Sequence, residues 1–307
     1  MRRFPLVIAV TAVLSLPTLT APAAAQPILL TTVGMIADPV QRIAGDCVQV
    51  QTLIGPGLDP HLYQARPSDI RRMRRADRIM ALGLGLEGRL ADILARVGAV
   101  ILGENVPEDR LLTHGNAPDP HIWMDPSLWA EIFAPAARAL AELAPDCAAD
   151  IEVAAAREFD RAMILHEWAA QSLATVPEGH RVLLTAHDAF TYFAHAFGLE
   201  NEAIQGISTA SEPSIADIDQ TAQLATDRNI PAAFIETTLN PRAVQALIEA
   251  AQARGHDLTI GGSLYSDAMG EAGSGADSWP GMIVSNVTTI TTALGGTPAP
   301  VPEGLLP

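Results

Sequence analysis

The chain has 307 residues, 49% of them hydrophobic, and 35 acidic residues against 19 basic ones give a formal net charge of −16. All the basic residues are arginine. So acidic a chain argues against nucleic acid or anionic membrane as a partner; the excess acid concentrates cations around the protein, or serves solubility alone.

At the N-terminus, Arg2 and Arg3 precede an apolar run from Phe4 to Leu19, and Ala23-Ala24-Ala25 supplies the small residues at which signal peptidase cuts. Residues 1–25 therefore read as a cleaved secretory signal. Pro17 and Pro22 break the run, which is shorter than the ~20 apolar residues a spanning helix needs. No Cys stands at the cut to accept a lipid, and no later stretch is long and apolar enough to span. The mature chain is expected to begin at Gln26, in a periplasm, with a formal charge of −18 once two arginines and no acid are lost. About 280 residues exceed what one hydrophobic core usually serves, so two domains are expected.

Beyond the signal, short β-branched runs alternate with amphipathic segments. Strands are expected at 28–33, 48–53, 78–82 and 100–102, and helices at 36–44, 68–76, 87–96 and 127–143. The pattern repeats with strands at 181–185, 203–205, 232–235 and 257–260 and helices at 189–197, 214–228, 241–254 and 279–294. Such alternation implies mostly parallel sheets flanked by helices, an α/β fold of two lobes, 26–146 and 177–307. Between them the Ala- and Glu-rich stretch 147–176 has neither Gly nor Pro after Pro145 and predicts one long linker helix of ~40 Å, with two bent helices as the alternative. The proline-rich tail, 297–307, is expected to be unstructured.

Two cysteines in an oxidising compartment suggest a Cys47–Cys147 disulfide. Metal ligation by Cys47 is the alternative. It conflicts with the position of His61 beyond the far end of the strand that Cys47 begins, roughly 20 Å away.

Four residues suited to transition metals, His61, His121, His187 and Asp267, stand 60, 66 and 80 positions apart. Each follows a strand-like or turn-like segment, where ligands collect in an open α/β sheet. His61 ends the turn-rich Gly55-Pro56-Gly57-Leu58-Asp59-Pro60. His121 precedes Asp125-Pro126, which reads as a helix cap with proline at the first helical position. Asp125 or Asp59 could alternatively orient a ligating imidazole. His187 ends a strand, whereas His195, two helical turns on, reads as a packed core or surface histidine. Asp267 follows the last strand; Glu271, Asp277 and Asp257 are rivals, with Asp277 a cap for the helix at Trp279.

The segments Val33-Gly34-Met35-Ile36-Ala37-Asp38, Gly57-Leu58-Asp59-Pro60-His61, Pro120-His121-Ile122-Trp123-Met124-Asp125-Pro126, Thr185-Ala186-His187-Asp188-Ala189-Phe190, Gly206-Ile207-Ser208-Thr209 and Leu264-Tyr265-Ser266-Asp267 resemble, in this order, the zinc- and manganese-binding periplasmic solute-binding proteins of ABC importers. The resemblance implies two lobes, a linker helix, and a metal held between the lobes by His61, His121, His187 and Asp267. It implies a membrane permease as partner, with the protein acting as a monomer. Many zinc-specific members carry a long loop rich in His and acids before the second ligand. Here 111–119 is short, with His114 alone, so His114 reads as an ordinary exposed residue.

Three imidazoles and one carboxylate suit tetrahedral Zn2+. Mn2+ is the alternative cargo; manganese-leaning members resemble a set with an acid in place of the third histidine, so His187 tips the reading to zinc. A nitrogen-rich site binds zinc more strongly than manganese whatever its role. Binding should weaken below about pH 6, where imidazoles protonate. A secreted zinc hydrolase, with Glu236 as general base, is the competing class. Four protein ligands argue against it, because catalytic zinc keeps a position open for water. No enzymatic activity is expected, and an adhesin or a metallochaperone without a transporter stays open.

Overall fold

The computed structural model describes residues 25–115 and 117–306; the segment read as a signal lies outside them except for Ala25. The first four strands, Ile28–Thr31 (β1), Gln49–Thr52 (β2), Arg78–Ala81 (β3) and Val100–Ile101 (β4), form a parallel sheet in the order β2-β1-β3-β4. Helices Gly34–Ala44 (α1), Pro67–Arg75 (α2) and Ala91–Arg96 (α3) make the crossovers. On α1, Met35, Ile36, Pro39, Val40 and Ile43 fall on one face at helical spacing and are all buried.

Between the sheets come a short hairpin, Thr113–His114 (β5) with Ala117–Pro118 (β6), then Pro126–Trp129 (α4), Phe133–Leu143 (α5) and the 26-residue Ala148–Leu173 (α6). The hairpin was not expected. The helix expected over 127–143 is split by a 3-10 turn at Ala130–Ile132. Pro135 explains the break: it has no N–H for the carbonyl four residues back and is tolerated only in a first turn. The helix expected from 87 begins at Ala91, because Glu87 is engaged with the end of β3, accepting from Leu82 N (2.8 Å) and Gly83 N (2.9 Å).

The unbroken α6 is ~39 Å long at 1.5 Å per residue. Its buried face, Ile151, Ala155, Ala162, Leu165, Trp168, Ala169 and Leu173, packs against α1, α4, α5 and the C-terminal helix that begins at Trp279.

The second sheet consists of Val182–His187 (β7), Glu200–Gln205 (β8), Ala232–Glu236 (β9) and Thr259–Leu264 (β10), parallel in the order β10-β9-β7-β8. Its helices are Thr191–Phe197 (α7), Ile215–Asp227 (α8), Arg242–Gln252 (α9) and Trp279–Ala293 (α10). Ser214 and Asp217 start α8 as a reciprocal capping box, each side chain accepting from the other's N–H. The two-lobed α/β fold with a long helix is therefore as expected.

Cys47 and Cys147 are bonded, joining the entry to β2 with the start of α6. The expectation for the tail is corrected. Its described residues, 297–306, form no regular element, yet Thr297 N donates to Thr175 Oγ1 (2.8 Å), Ala299 N to Ser172 Oγ (3.0 Å) and Trp168 Nε1 to Ala299 O (3.0 Å), and Leu305 is buried. These bonds fasten it along the end of α6. No helix among the described residues is long and apolar enough to cross a membrane.

Candidate metal centre

The strand order of the second sheet reverses at the β7–β9 pair, and loops from both sheets converge beside it. His187 is the last residue of β7. Glu236, the last of β9, accepts from His187 N at 2.9 Å, and its Oε2 lies 2.5 Å from His187 Nδ1. Asp267 follows β10 through Tyr265 and Ser266. Asn286, buried on α10, clamps Tyr265 by accepting from its N (2.9 Å) and donating to its O (2.7 Å).

His121 enters from the first half, just before a 3-10 turn at Ile122–Met124. Asp119 Oδ1 accepts from His121 N (2.9 Å) and lies 2.7 Å from its Nδ1. His61 stands on the loop after β2, which turns through Gly57 at φ +68°, a conformation glycine adopts freely. Asp59 Oδ1 accepts from His61 N at 2.8 Å. The tripeptide Asp-Pro-His thus occurs twice, and both times the aspartate takes the N–H of the histidine in an Asx-type turn.

These elements aim three Nε2 atoms at one carboxylate. Asp267 Oδ2 is 3.2 Å from His187 Nε2 and 3.7 Å from His61 Nε2, and Oδ1 is 3.3 Å from His121 Nε2. One donor atom from each of the four residues fits within 4.8 Å of all the others. His121 and His187 are fully buried, Asp267 is 1% exposed and His61 7%. All three Nε2 atoms and both Asp267 oxygens are buried without a hydrogen-bond partner. Burying so many polar atoms unpaired is costly unless a further group satisfies them. With neutral imidazoles, the carboxylates of Asp267, Asp119 and Glu236 leave a local charge of about −3, so a divalent cation is the group that fits.

The electrostatics of the four residues are coupled. Burial pulls His61 below the usual imidazole value. Burial acts the same way on His121 and His187, but there the adjoining carboxylates outweigh it. Asp119 and Asp267 lift His121 to about 9, and Glu236 and Asp267 hold His187 well above the usual value. Burial would raise Asp267, yet the surrounding imidazoles hold it well below the usual carboxylate range.

The structure brings the four anticipated residues together and sends the rivals elsewhere. Glu271, Asp277 and Asp257 are exposed. Asp277 accepts from Gly273 N (2.7 Å), while Ser278 caps α10, which corrects the cap assignment. Asp125 does cap α4, accepting from Ser127 N (2.9 Å) and Ser127 Oγ (2.8 Å), and the imidazole it meets is that of His166 rather than His121. Asp59 reaches the backbone of His61, not its ring. His195 is exposed on α7, and His114 is an exposed residue of β5, 3.3 Å from Asp188. Cys47 is in the disulfide.

Sequence reasoning missed the carboxylates behind two of the rings. The repeated Asp-Pro-His was a usable signal for Asp119. Glu236 was singled out as a general base, but it sits on the Nδ1 side of His187, away from the converging Nε2 atoms, where it orients the ring instead.

A family profile described as zinc-uptake complex component A, periplasmic, matches residues 29–293. The zinc-binding protein TroA of Treponema pallidum is 39% identical over 277 residues, covering 88% of this chain and 89% of that one. The manganese-binding lipoprotein MntA of Bacillus subtilis is 37% identical over 274 residues, covering 86% and 88%. Among solved structures, the periplasmic zinc-binding protein TroA superposes with a TM-score of 0.85 at 37% identity, covering 88% of this chain and 99% of that one. Fe(III)-bound YtgA from Chlamydia trachomatis superposes with a TM-score of 0.81 at 30% identity, covering 90% and 100%.

Proposed function

We propose, from the premise that this chain belongs to the periplasmic zinc-uptake component A family, that it is a high-affinity carrier of Zn2+. The family is one of metal-binding solute-binding proteins of ABC importers acting outside the cytoplasm, so a membrane permease is the partner. In our reading the site is periplasmic, the signal is cut after Ala25, and the lobes 26–146 and 177–307 meet around the cargo, tied by the linker 147–176. The ion's ligands are His61, His121, His187 and Asp267.

The observation that carries the choice of zinc is the convergence of three imidazole Nε2 atoms on one carboxylate. A tetrahedral ion with bonds of ~2.0–2.1 Å needs donors ~3.3–3.4 Å apart. The distances from one carboxylate oxygen, Oδ2, to the Nε2 atoms of His187 (3.2 Å) and His61 (3.7 Å) are of that size, and one donor from each of the four residues lies within 4.8 Å of the others. A manganese reading has its own support in the relative named for that metal at 37% identity. Four protein donors leave no open position for a reactive water, which favours carriage over hydrolysis.

Metal analysis of protein from its native compartment, followed by direct competition between Zn2+ and Mn2+, tests the reading. One zinc per chain is expected, with loading lost in the His61→Ala, His187→Ala double variant. Full loading of that variant refutes the ligand set, and displacement of zinc by equimolar manganese refutes the preference.

A further inference from the structure

Three of the four metal-facing residues stand on one hydrogen-bonded block. Trp123 Nε1 donates to Ser266 O (2.9 Å), Trp279 Nε1 to Trp123 O (3.1 Å), and Tyr192 OH to Asp119 O (3.1 Å). Leu112 N in turn donates to the Tyr192 hydroxyl (2.9 Å). The His121 segment, although it comes from the first half, is thereby fastened to the segments that carry His187 and Asp267.

His61 stands apart on the glycine-rich loop between β2 and α2. A cavity of about 280 Å³, lined by Gly55 and Pro56 on one side and by Asp267, Ala268 and Met269 on the other, separates that loop from the block. The other bonds of the loop stay within the first half, such as Tyr63 OH to Asp69 (2.8 Å) and, at its start, Leu53 N to Thr31 O (2.8 Å) and Ile54 N to Thr32 O (2.9 Å). Among the described residues, one side-chain hydrogen bond crosses from the loop to the second half: Thr209 Oγ1 donates to Asp59 Oδ2 at 2.5 Å. The other oxygen of the same carboxylate holds His61 N. Thr209 belongs to the Gly206–Thr209 segment, which leaves β8 beside His187, since His187 pairs with Gln205. It contributes no donor to the centre.

We propose that the Asp59–Thr209 bond is a latch that sets how fast the bound ion leaves, an inference that rests on the metal-binding reading of this centre. With the latch closed, His61 is held against the block and the fourth donor is in place. With it open, the loop swings His61 away and leaves three donors and a free position, through which water or a receiving ligand displaces the ion. Asp59 and Thr209 are positioning residues; neither touches the cargo.

Stopped-flow release of Zn2+ into excess EDTA from the wild type, Thr209→Val, Thr209→Ser and Asp59→Asn tests this. Valine keeps the shape and removes the donor, whereas serine keeps the donor. Thr209→Val should still bind one zinc and release it about tenfold faster or more, the loss expected for a partly buried bond to a carboxylate. Its association rate should stay within about twofold, because such changes fall mainly on dissociation. Thr209→Ser should return to the wild-type rate. Asp59→Asn, which keeps an acceptor for His61 N and turns an amide NH2 toward the Thr209 hydroxyl in place of the charged oxygen, should fall between. Release from Thr209→Val at the wild-type rate, or from Thr209→Ser as fast as from Thr209→Val, overturns the latch and leaves the metal-binding reading standing. A wild type that holds no zinc overturns both.

Discussion

Asp119 and Glu236, each set against the outer nitrogen of an imidazole, decide how protons compete with the cargo. The sequence alone set that competition below about pH 6, from the ordinary imidazole value. The structure moves it upward, because His121 titrates at about 9 and His187 well above the usual value in the metal-free protein. Both rings therefore hold protons at pH 7 that an incoming ion must expel, whereas His61, lowered by burial, holds none to speak of. Zinc affinity should rise with pH by about 10- to 100-fold per unit between pH 6 and 8, one decade per proton displaced, and keep rising toward 9. The stripped protein should behave in the opposite sense. A histidine whose folded value lies above its unfolded one stabilises fully below about pH 6.5, and loses that contribution as the pH climbs through about 9. Titrations at fixed ionic strength check this: a plateau in affinity above pH 7 would contradict it, and Asp119→Asn should bring the plateau down.

Among the elements, α1, α6 and α10 are held together by a knot of charge as well as by apolar packing. Arg42 on α1 bonds Asp38 Oδ1 (2.6 Å) and Glu158 Oε2 on α6 (2.8 Å), and Asp38 Oδ2 accepts from Trp279 N, the first residue of α10 (2.8 Å). Replacing Asp38 by Ala leaves a largely buried guanidinium with one partner fewer and a helix N–H with none. It should cost about 1–3 kcal/mol in denaturant unfolding of the metal-free protein. None of this knot was legible in the sequence, because it joins residues 38, 158 and 279, and nothing local marks such a meeting. The elements themselves were legible, since helical spacing on α1 and α6 and β-branched runs in β1, β7 and β9 agree with the final structure. Local order failed at Glu87 and Pro135, where a tertiary bond or a proline intervened, and it did not mark the β5–β6 hairpin or the docking of the tail on the end of α6. For the centre, the four inward-facing donors could be read from loop positions and motif order. Glu236 could be placed near them but not assigned its task, since its orientation depends on the pairing of two strands far apart in the chain.

For the molecule as a whole, an ion that grips residues drawn from both halves must stabilise the assembled state, because the unfolded chain offers no such grouping. At free zinc a thousandfold above the dissociation constant, the gain should be about 4 kcal/mol, or roughly 8–16 °C in the melting temperature of a chain this size. Differential scanning calorimetry with and without chelator measures it, and a shift of a degree or less would mean that the ion does not bridge the halves. The disulfide acts differently, by closing a loop of 100 residues, a constraint worth up to about 4–5 kcal/mol in the loop-entropy account. Its position also dictates a sequence of events. Both sulfurs precede β7, so a chain emerging amino end first can complete its first sheet and seal it to the nascent α6 while His187 and Asp267 are still to come. Cargo cannot template that stage. Forming that bond therefore calls on the supply of oxidant and not on the metal.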